Sequence, residues 1–283
     1  MDIVIFNVEH GQSILFYPHG APGYTMLVDC GNTQEFNPID TILHLLPQDQ
    51  LGRRVLSNLA LTNYDHDHFS GLPYLADKVH ISTVSFAKNL TSGEIRSLKE
   101  ESTDALDKLC EIKDTYIHDA PYHTPPYARQ FFHLEKHHFP NGDYDTNNLS
   151  QVMFVNYHGT TICIGGDLEA VGWTELLKND GFKEWLRATD IFIASHHGRE
   201  NGYAEEIFQH CSPECVIISD KEMVHGTQDG MAQTYASHVR GNGITFGNLR
   251  ALTGRKVLTT RNDGHILIKL APNGVRAYAP ISL

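Results

Sequence analysis

The chain has 283 residues, 41% of them hydrophobic and 10% aromatic, enough to bury a full core in one large domain or two small ones. Its formal net charge of −12 argues against broad adhesion to nucleic acid or anionic lipid, which needs a basic surface. A local basic groove, or a divalent cation that offsets part of the charge, stays compatible with it. No apolar run approaches the ~20 residues needed to span a bilayer. The N-terminal MDIVIFNVEHGQSILFY has an acidic second residue and polar interruptions, and reads as a strand pair rather than a signal peptide. Cys30, Cys110, Cys163, Cys211 and Cys215 are odd in number and scattered, which reads as buried free thiols in a reducing, cytoplasmic setting.

In chain order, β-branched and apolar runs predict strands at about 2–8, 13–17 and 25–29. PIDTILHLL at 38–46 has helical spacing with Pro38 at its start. A strand is expected at about 56–62, then a polar turn, a short helix at 70–78 and a short strand over VHISTVSF. Residues 92–112 predict the clearest amphipathic helix, with Ile95, Leu98, Ala105, Leu106 and Leu109 on one face. The stretch 118–147 is rich in Pro, Tyr and His with little regular period, and reads as a functional loop or hairpin cover. QVMFVNYHGTTICIGG predicts a hairpin turning at His158-Gly159 and ending in Asp167. Helices follow at about 169–187, 202–210 and 230–240, with strands over DIFIAS and ECVIISD and a last hairpin over KVLTTRNDGHILIKL. Strands with polar tips, separated by helices and with no internal repeat or linker, indicate an α/β protein with layered sheets and outer helices in a single domain over 1–283.

Three of these strands end in metal-type ligands. LALT leads into Asp65-His66-Asp67-His68, ICIGG into Asp167, and IFIAS into His196-His197. Taken alone, Asp167 reads as a helix cap and His196-His197-Gly198 as a turn or a ligand pair. Two aspartates and two histidines in four positions exceed what turn chemistry explains. Together the three tips point to a metal site, because strand ends can aim deprotonated N and O atoms at one centre.

At this point the sequence resembles the metallo-β-lactamase fold superfamily, and within it the branch similar to the hydrolase domain of competence protein EC. NVEHGQSILF, LVDCG, TNYDHDHFSG, TNNLSQVMFV, ICIGGDLE, IFIASHHG and VLTTRNDGHILI resemble that family's motifs in the right order over nearly the whole chain. The resemblance implies a four-layer αββα sandwich of two mixed sheets. It places Asp67 and His68 at a second metal site, with Asp167 bridging two metals or serving the second alone, His196 the preferred ligand on the later strand and His197 close behind. Asp65 would belong to a first metal site. Asn63 stands where that pattern usually has His. An amide oxygen suits Mn²⁺, Mg²⁺ or Ca²⁺ better than Zn²⁺, so one firm site and a weaker one near Asn63 and Asp65 are expected. His118, His123, His133, His137 and His138 precede TNNLS without an obvious first-site ligand among them, and His66 is expected at the surface or behind the ligands.

The expected chemistry is hydrolysis with a divalent metal, Zn or Mn, and Asp67 orienting or deprotonating water. The branch resemblance implies phosphodiester cleavage in DNA or RNA, with His225 a candidate for phosphate contact or proton transfer. Arg129, Arg199, Arg250, Arg255 and Lys256 could contact phosphates, and Tyr122, Tyr127, Phe131 and Phe132 could stack on bases or pin the loop to the core. A small-ester or lactone hydrolase, or a non-catalytic binding module working with a protein partner, remains the alternative. No membrane association is expected.

Overall fold

The computed structural model describes residues 1–118, 124–142, 144–221, 226–248, 251–273 and 276–282. The strands in chain order are β1 (Asp2–Ile5), β2 (Ile14–Tyr17), β3 (Met26–Val28), β4 (Arg54–Ala60), β5 (Val79–Ser85), β6 (Ala128–His133), β7 (Gln151–Tyr157), β8 (Thr160–Ile164), β9 (Thr189–Ile193), β10 (Cys215–Ile218), β11 (Ile244–Asn248), β12 (Ala251–Arg255), β13 (Val257–Thr259), β14 (His265–Leu270) and β15 (Arg276–Ile281). They form two mixed sheets, β12-β11-β15-β14-β1-β2-β3-β4-β5 and β13-β10-β9-β8-β7-β6. β3, β4 and β5 run parallel in the first sheet, and β8, β9, β10 and β13 in the second.

Strict alternation along the strands builds the layers. Ile14, Phe16, Met26 and Val28 of one sheet meet Met153, Val155, Ile162, Ile164, Ile191, Ile193, Cys215 and Ile217 of the other in a core made without helical residues. The intervening Leu15, Leu27, Phe154, Cys163, Phe192 and Val216 face the opposite way, into a core shared with the helices. A period of two sends successive side chains to opposite faces, so strands apolar on both faces must be covered on both. The covering helices are α1 (Pro38–Leu43), α2 (His66–Phe69), α3 (Leu72–Lys78), α4 (Ser92–Ser97), α5 (Asp104–Thr115), α6 (Ala170–Leu176), α7 (Asp180–Arg187), α8 (Met231–His238) and α9 (Thr260–Asp263). This is the expected sandwich of two mixed sheets with outer helices. All five cysteines are buried and free. Among the described residues no helix is long and apolar enough to cross a membrane.

Four expectations change. The helix over 92–112 is two helices, α4 and α5, because Thr103 caps a new start by accepting from the Leu106 amide; Leu98, expected on the apolar face, is exposed. The helix over 169–187 likewise restarts at Asn179, whose side chain accepts from Phe182 N. The helix at 202–210 is a short 3₁₀ turn, Glu205–Gln209. The last hairpin is absent: β13 pairs with β10 and β14 with β1, in different sheets, and the chain crosses between them through α9, capped by Thr259. The irregular stretch 118–147 contributes β6, paired antiparallel to β7. The hairpin at His158-Gly159 is as expected, with both residues at positive φ (48° and 84°), the geometry a two-residue turn needs.

Candidate metal centre

The carboxyl ends of β3, β4, β8, β9 and β10 gather at one edge of the sandwich. There Asp67, His68, Asp167 and His197 each offer a ligand atom, all within 4.8 Å of one another. His68 Nε2 lies 3.0 Å from Asp167 Oδ1, and His197 Nε2 lies 3.2 Å from Asp67 Oδ2 and 3.5 Å from Asp167 Oδ1. His68 Nε2, Asp167 Oδ1 and His197 Nε2 are buried and, apart from these contacts within the cluster, have no hydrogen-bond partner. Buried polar atoms are almost always paired. Three orphaned ones converging from three loops fit a cation that completes them. Two imidazoles and two carboxylates are a donor set suited to Zn²⁺ or Mn²⁺.

Each imidazole is aimed by its other nitrogen. His68 Nδ1 donates to Asp29 Oδ2 at 2.9 Å, and His197 Nδ1 donates to the Ser219 carbonyl at 3.0 Å. This fixes the tautomer that leaves both Nε2 lone pairs facing the centre. Asp29 itself is fully buried and also accepts from Gln12 Nε2 (2.7 Å), Thr62 N (2.7 Å) and Thr62 Oγ1. His196 and His197 are consecutive residues at positive φ, 48° and 53°, and Asp29 has φ 54°. Such conformations cost of order 1–3 kcal/mol each and persist where surrounding contacts enforce them.

Backbone contacts hold the ligand turn rigid. Gln12 N donates to the Asp67 carbonyl at 3.2 Å, and Cys30 N to that of His68 at 2.9 Å. A Cβ at Gly11 would lie 2.6 Å from the Asp67 oxygen, and one at Gly31 closer still. Gly31→Ala is therefore expected to lower stability by about 1–3 kcal/mol in a urea titration, because backbone on both sides cannot yield as a side chain would. An unchanged midpoint would show that the turn is looser than this packing requires.

The charges are tightly balanced. Burial, the largest single effect, would push His68 and His197 down, but the carboxylates together outweigh it, Asp167 with Asp29 at His68 and Asp167 with Asp67 at His197. His68 rises well above the usual imidazole range and His197 is pushed up to about 10. Burial would likewise raise Asp67 and Asp167, yet the imidazoles hold both below the ordinary carboxylate range. Without a metal, both histidines thus carry protons at neutral pH. A cation must displace them, so apparent affinity climbs as pH rises and binding releases protons. Calorimetric titration with Zn²⁺ at pH 7 in buffers of different ionisation heat is expected to show release of about one to two protons per ion. A heat independent of the buffer would contradict this charge balance.

The remaining expected site residues fall elsewhere. His196 is not in the cluster: its ring turns toward Glu169, 3.6 Å from Nδ1, and Arg199, 3.5 Å from Nε2, because the two left-handed residues swing successive side chains apart. Asn63 lies outside it too, with its Oδ1 accepting from Asp65 N (2.6 Å) and its Nδ2 donating to Asn147 Oδ1 (2.9 Å) and Ser150 Oγ (3.0 Å). Asp65 is ion-paired with Lys99 Nζ and accepts from Thr146 Oγ1 at 2.7 Å. His66 is exposed, packed edge-on against Phe69. His133 meets Glu135, and the His137 and His138 rings lie against each other at a tilt of 32°. Arg255 is held by both oxygens of Asp263 at 2.9 Å, Tyr127 is buried with its hydroxyl on the Tyr24 carbonyl, and Phe132 packs against Phe154 and Phe182. Tyr122, His123, His225 and Arg250 lie outside the described residues.

Sequence reading missed the roles of Asp29, Ser219 and Lys99. Asp29 ends an apolar strand as the other ligand-bearing tips do, a signal present in LVDCG. Ser219 acts through its carbonyl, which no side-chain pattern reveals. Lys99 sits in the break between α4 and α5, at a place that a continuous helix would not have marked.

A model of the metallo-beta-lactamase superfamily matches residues 8–207. The structure is similar to that of Zn(2+)-bound PqqB from Methylobacterium extorquens, with a TM-score of 0.52 and 11% identity over 95% of this chain and 100% of that one. It is also similar to CmlA, a diiron beta-hydroxylase from Streptomyces venezuelae, with a TM-score of 0.54 and 14% identity over 95% of this chain and 54% of that one. At these identities the likeness is one of fold. A search of curated proteins found no match. These matches do not single out the competence-protein branch, which rests on the sequence motifs. The chain belongs to the metallo-beta-lactamase superfamily, as a hydrolase of that fold with a candidate His/Asp metal centre.

Proposed function

We propose that the protein hydrolyses phosphodiester bonds with a single divalent ion held by Asp67, His68, Asp167 and His197. The observation that carries this reading is the convergence of four ligand atoms within 4.8 Å, three of them buried with no hydrogen-bond partner outside the cluster. When bound, the ion supplies Lewis acidity and lowers the pKa of a water molecule toward ~7. The protein's own residues do the rest. His68 and Asp167 are closed off from solvent, whereas the Asp67 side chain is 30% exposed and lines an open groove of about 570 Å³. Asp67 is thus the member of the set placed to orient an entering water and to accept its proton.

The surroundings of Asn63 and Asp65 support one ion rather than two. An ammonium group, from Lys99, sits on the Asp65 carboxylate, and the Asn63 amide is spent on Asp65, Asn147 and Ser150. Lys99 is neutralised by Asp65, whereas Arg199, beside His196, forms no ion pair among the described residues. Cations close to a metal centre stabilise charge on a transferring phosphoryl group better than they serve a neutral ester.

A second reading is favoured by the groove itself. Its walls include Glu9 and Glu35 and carry no lysine or arginine among the described residues. Such a groove does not track a long polyanion, so a small diester or the end of a single strand fits better than duplex nucleic acid, and a small ester or lactone is the competitor.

The test is a substrate panel with Zn²⁺- or Mn²⁺-loaded protein: bis(p-nitrophenyl) phosphate, single-stranded DNA and RNA oligonucleotides, p-nitrophenyl acetate and a lactone, each run beside Asp67→Asn. Turnover of a phosphodiester that the variant loses supports the reading. Turnover of the acetate or lactone alone would replace it with the ester hydrolase, and no turnover of any of them would favour a binding role.

A further inference from the structure

Arg199 follows the ligand turn directly, two residues after His197, and it is part-buried. Its surroundings are unusual for a guanidinium. One arm, NH2, donates to His10 Nε2 at 2.5 Å, and the other, NH1, makes only a 3.5 Å contact with His196 Nε2. Nε is buried with no hydrogen-bond partner. Among the described residues no carboxylate forms an ion pair with it, whereas Arg240, Arg255, Arg261 and Arg276 each meet an aspartate or glutamate. The carboxylates of Asp67 and Asp167 face the neighbouring cluster, where they serve the cation.

The group is nonetheless held in place. His10 comes from the loop between β1 and β2, and its ring packs on His197 with centroids 4.5 Å apart. Because a guanidinium can only donate, His10 Nε2 is the acceptor of the Arg199 hydrogen bond. His10 also lines the open groove together with Asp67. A guanidinium held by a residue of the groove wall, beside a metal centre and without a carboxylate partner among the described residues, is a site short of one negative charge. Partly buried charges are stable when paired, and the planar fork of Arg matches two oxygens of one oxyanion.

We propose that Arg199, positioned by His10, binds the non-bridging oxygens of a singly charged phosphodiester and so sets the enzyme's preference for a diester monoanion. This rests on the phosphodiester reading above but has its own test. Dimethyl phosphate, a diester monoanion, and acetate are titrated calorimetrically into metal-loaded wild type, Arg199→Gln, Arg199→Lys and His10→Gln, with metal content and thermal melts measured on each protein. A charge-assisted hydrogen bond contributes about 1.5–3 kcal/mol, so Arg199→Gln is expected to weaken dimethyl phosphate by about 10- to 100-fold at unchanged metal content. Arg199→Lys should recover part of that loss. His10→Gln, which keeps the charge but loosens its aim, should fall between, and it keeps the proposal testable if Arg199→Gln does not fold. The KM for bis(p-nitrophenyl) phosphate should rise in parallel, with a smaller change in kcat.

Equal affinity of wild type and the Arg199 and His10 variants for dimethyl phosphate would overturn the proposal, as would wild type binding acetate as tightly as the diester. Dimethyl phosphate binding that depends on Arg199, in a protein that turns over no phosphodiester, would sink the catalytic reading and leave the subsite standing.

Discussion

Asp167→Ala is expected to abolish tight metal binding and, with it, hydrolysis. Asp167 Oδ1 approaches both imidazole nitrogens, at 3.0 Å from His68 Nε2 and 3.5 Å from His197 Nε2. Without it, the cluster keeps one carboxylate and two imidazoles, and its most buried anionic donor is gone. Mutating groups that merely orient ligands already costs 10- to 100-fold in affinity, so loss of a ligand should cost at least about a hundredfold. Ligand-linked stability gives an independent readout. A metal present at about a thousand times its dissociation constant stabilises the native state by about 4 kcal/mol. Wild type should gain that on loading with Zn²⁺ or Mn²⁺, and Asp167→Ala should gain almost none. A variant whose melting temperature responds to metal as wild type's does would show that the ion sits elsewhere.

Asp29→Ala is expected to be the most destabilising single change near the centre. The Asp29 carboxylate is fully buried and accepts four hydrogen bonds, from Gln12, Thr62 twice and His68. Truncation strands those donors in the interior and puts alanine at a φ of 54°. Breaking a buried network of this kind costs about 3–5 kcal/mol, measurable by urea denaturation. Asp29→Asn separates structure from function. It keeps the volume but brings an N–H group toward donors, so the His68 imidazole loses the acceptor that fixes its tautomer. Metal affinity should fall by about 10- to 100-fold even where the fold survives. Unchanged affinity in Asp29→Asn would mean that His68 is oriented by packing alone.

Much of this centre can be read from the sequence, because each ligand tip follows an apolar strand whose period is plain. Asp67, His68 and Asp167 stand at such tips, and parallel neighbours such as β8 and β9 bring their ends together. The choice between His196 and His197 was not legible. The two are adjacent and chemically identical, and what separates them is a pair of left-handed backbone conformations with no glycine at either position to announce it. Lys99 was hidden for another reason: its partner Asp65 is 34 residues away, and the helix break that presents it depends on Thr103 winning as a cap over continued helical periodicity. The final strands misread for a topological reason. VLT and HILIKL look like two arms of a hairpin, yet they belong to different sheets, and local spacing carries no record of that crossing.

Anomalous diffraction from crystals of the metal-loaded protein, collected at the metal's absorption edge, tests the central claim most directly. One peak per chain is expected, within bonding distance of Asp67, His68, Asp167 and His197, with Lys99 still paired to Asp65. A peak beside Asn63 and Asp65 with Lys99 displaced, or no ordered metal at the four converging side chains, would contradict it.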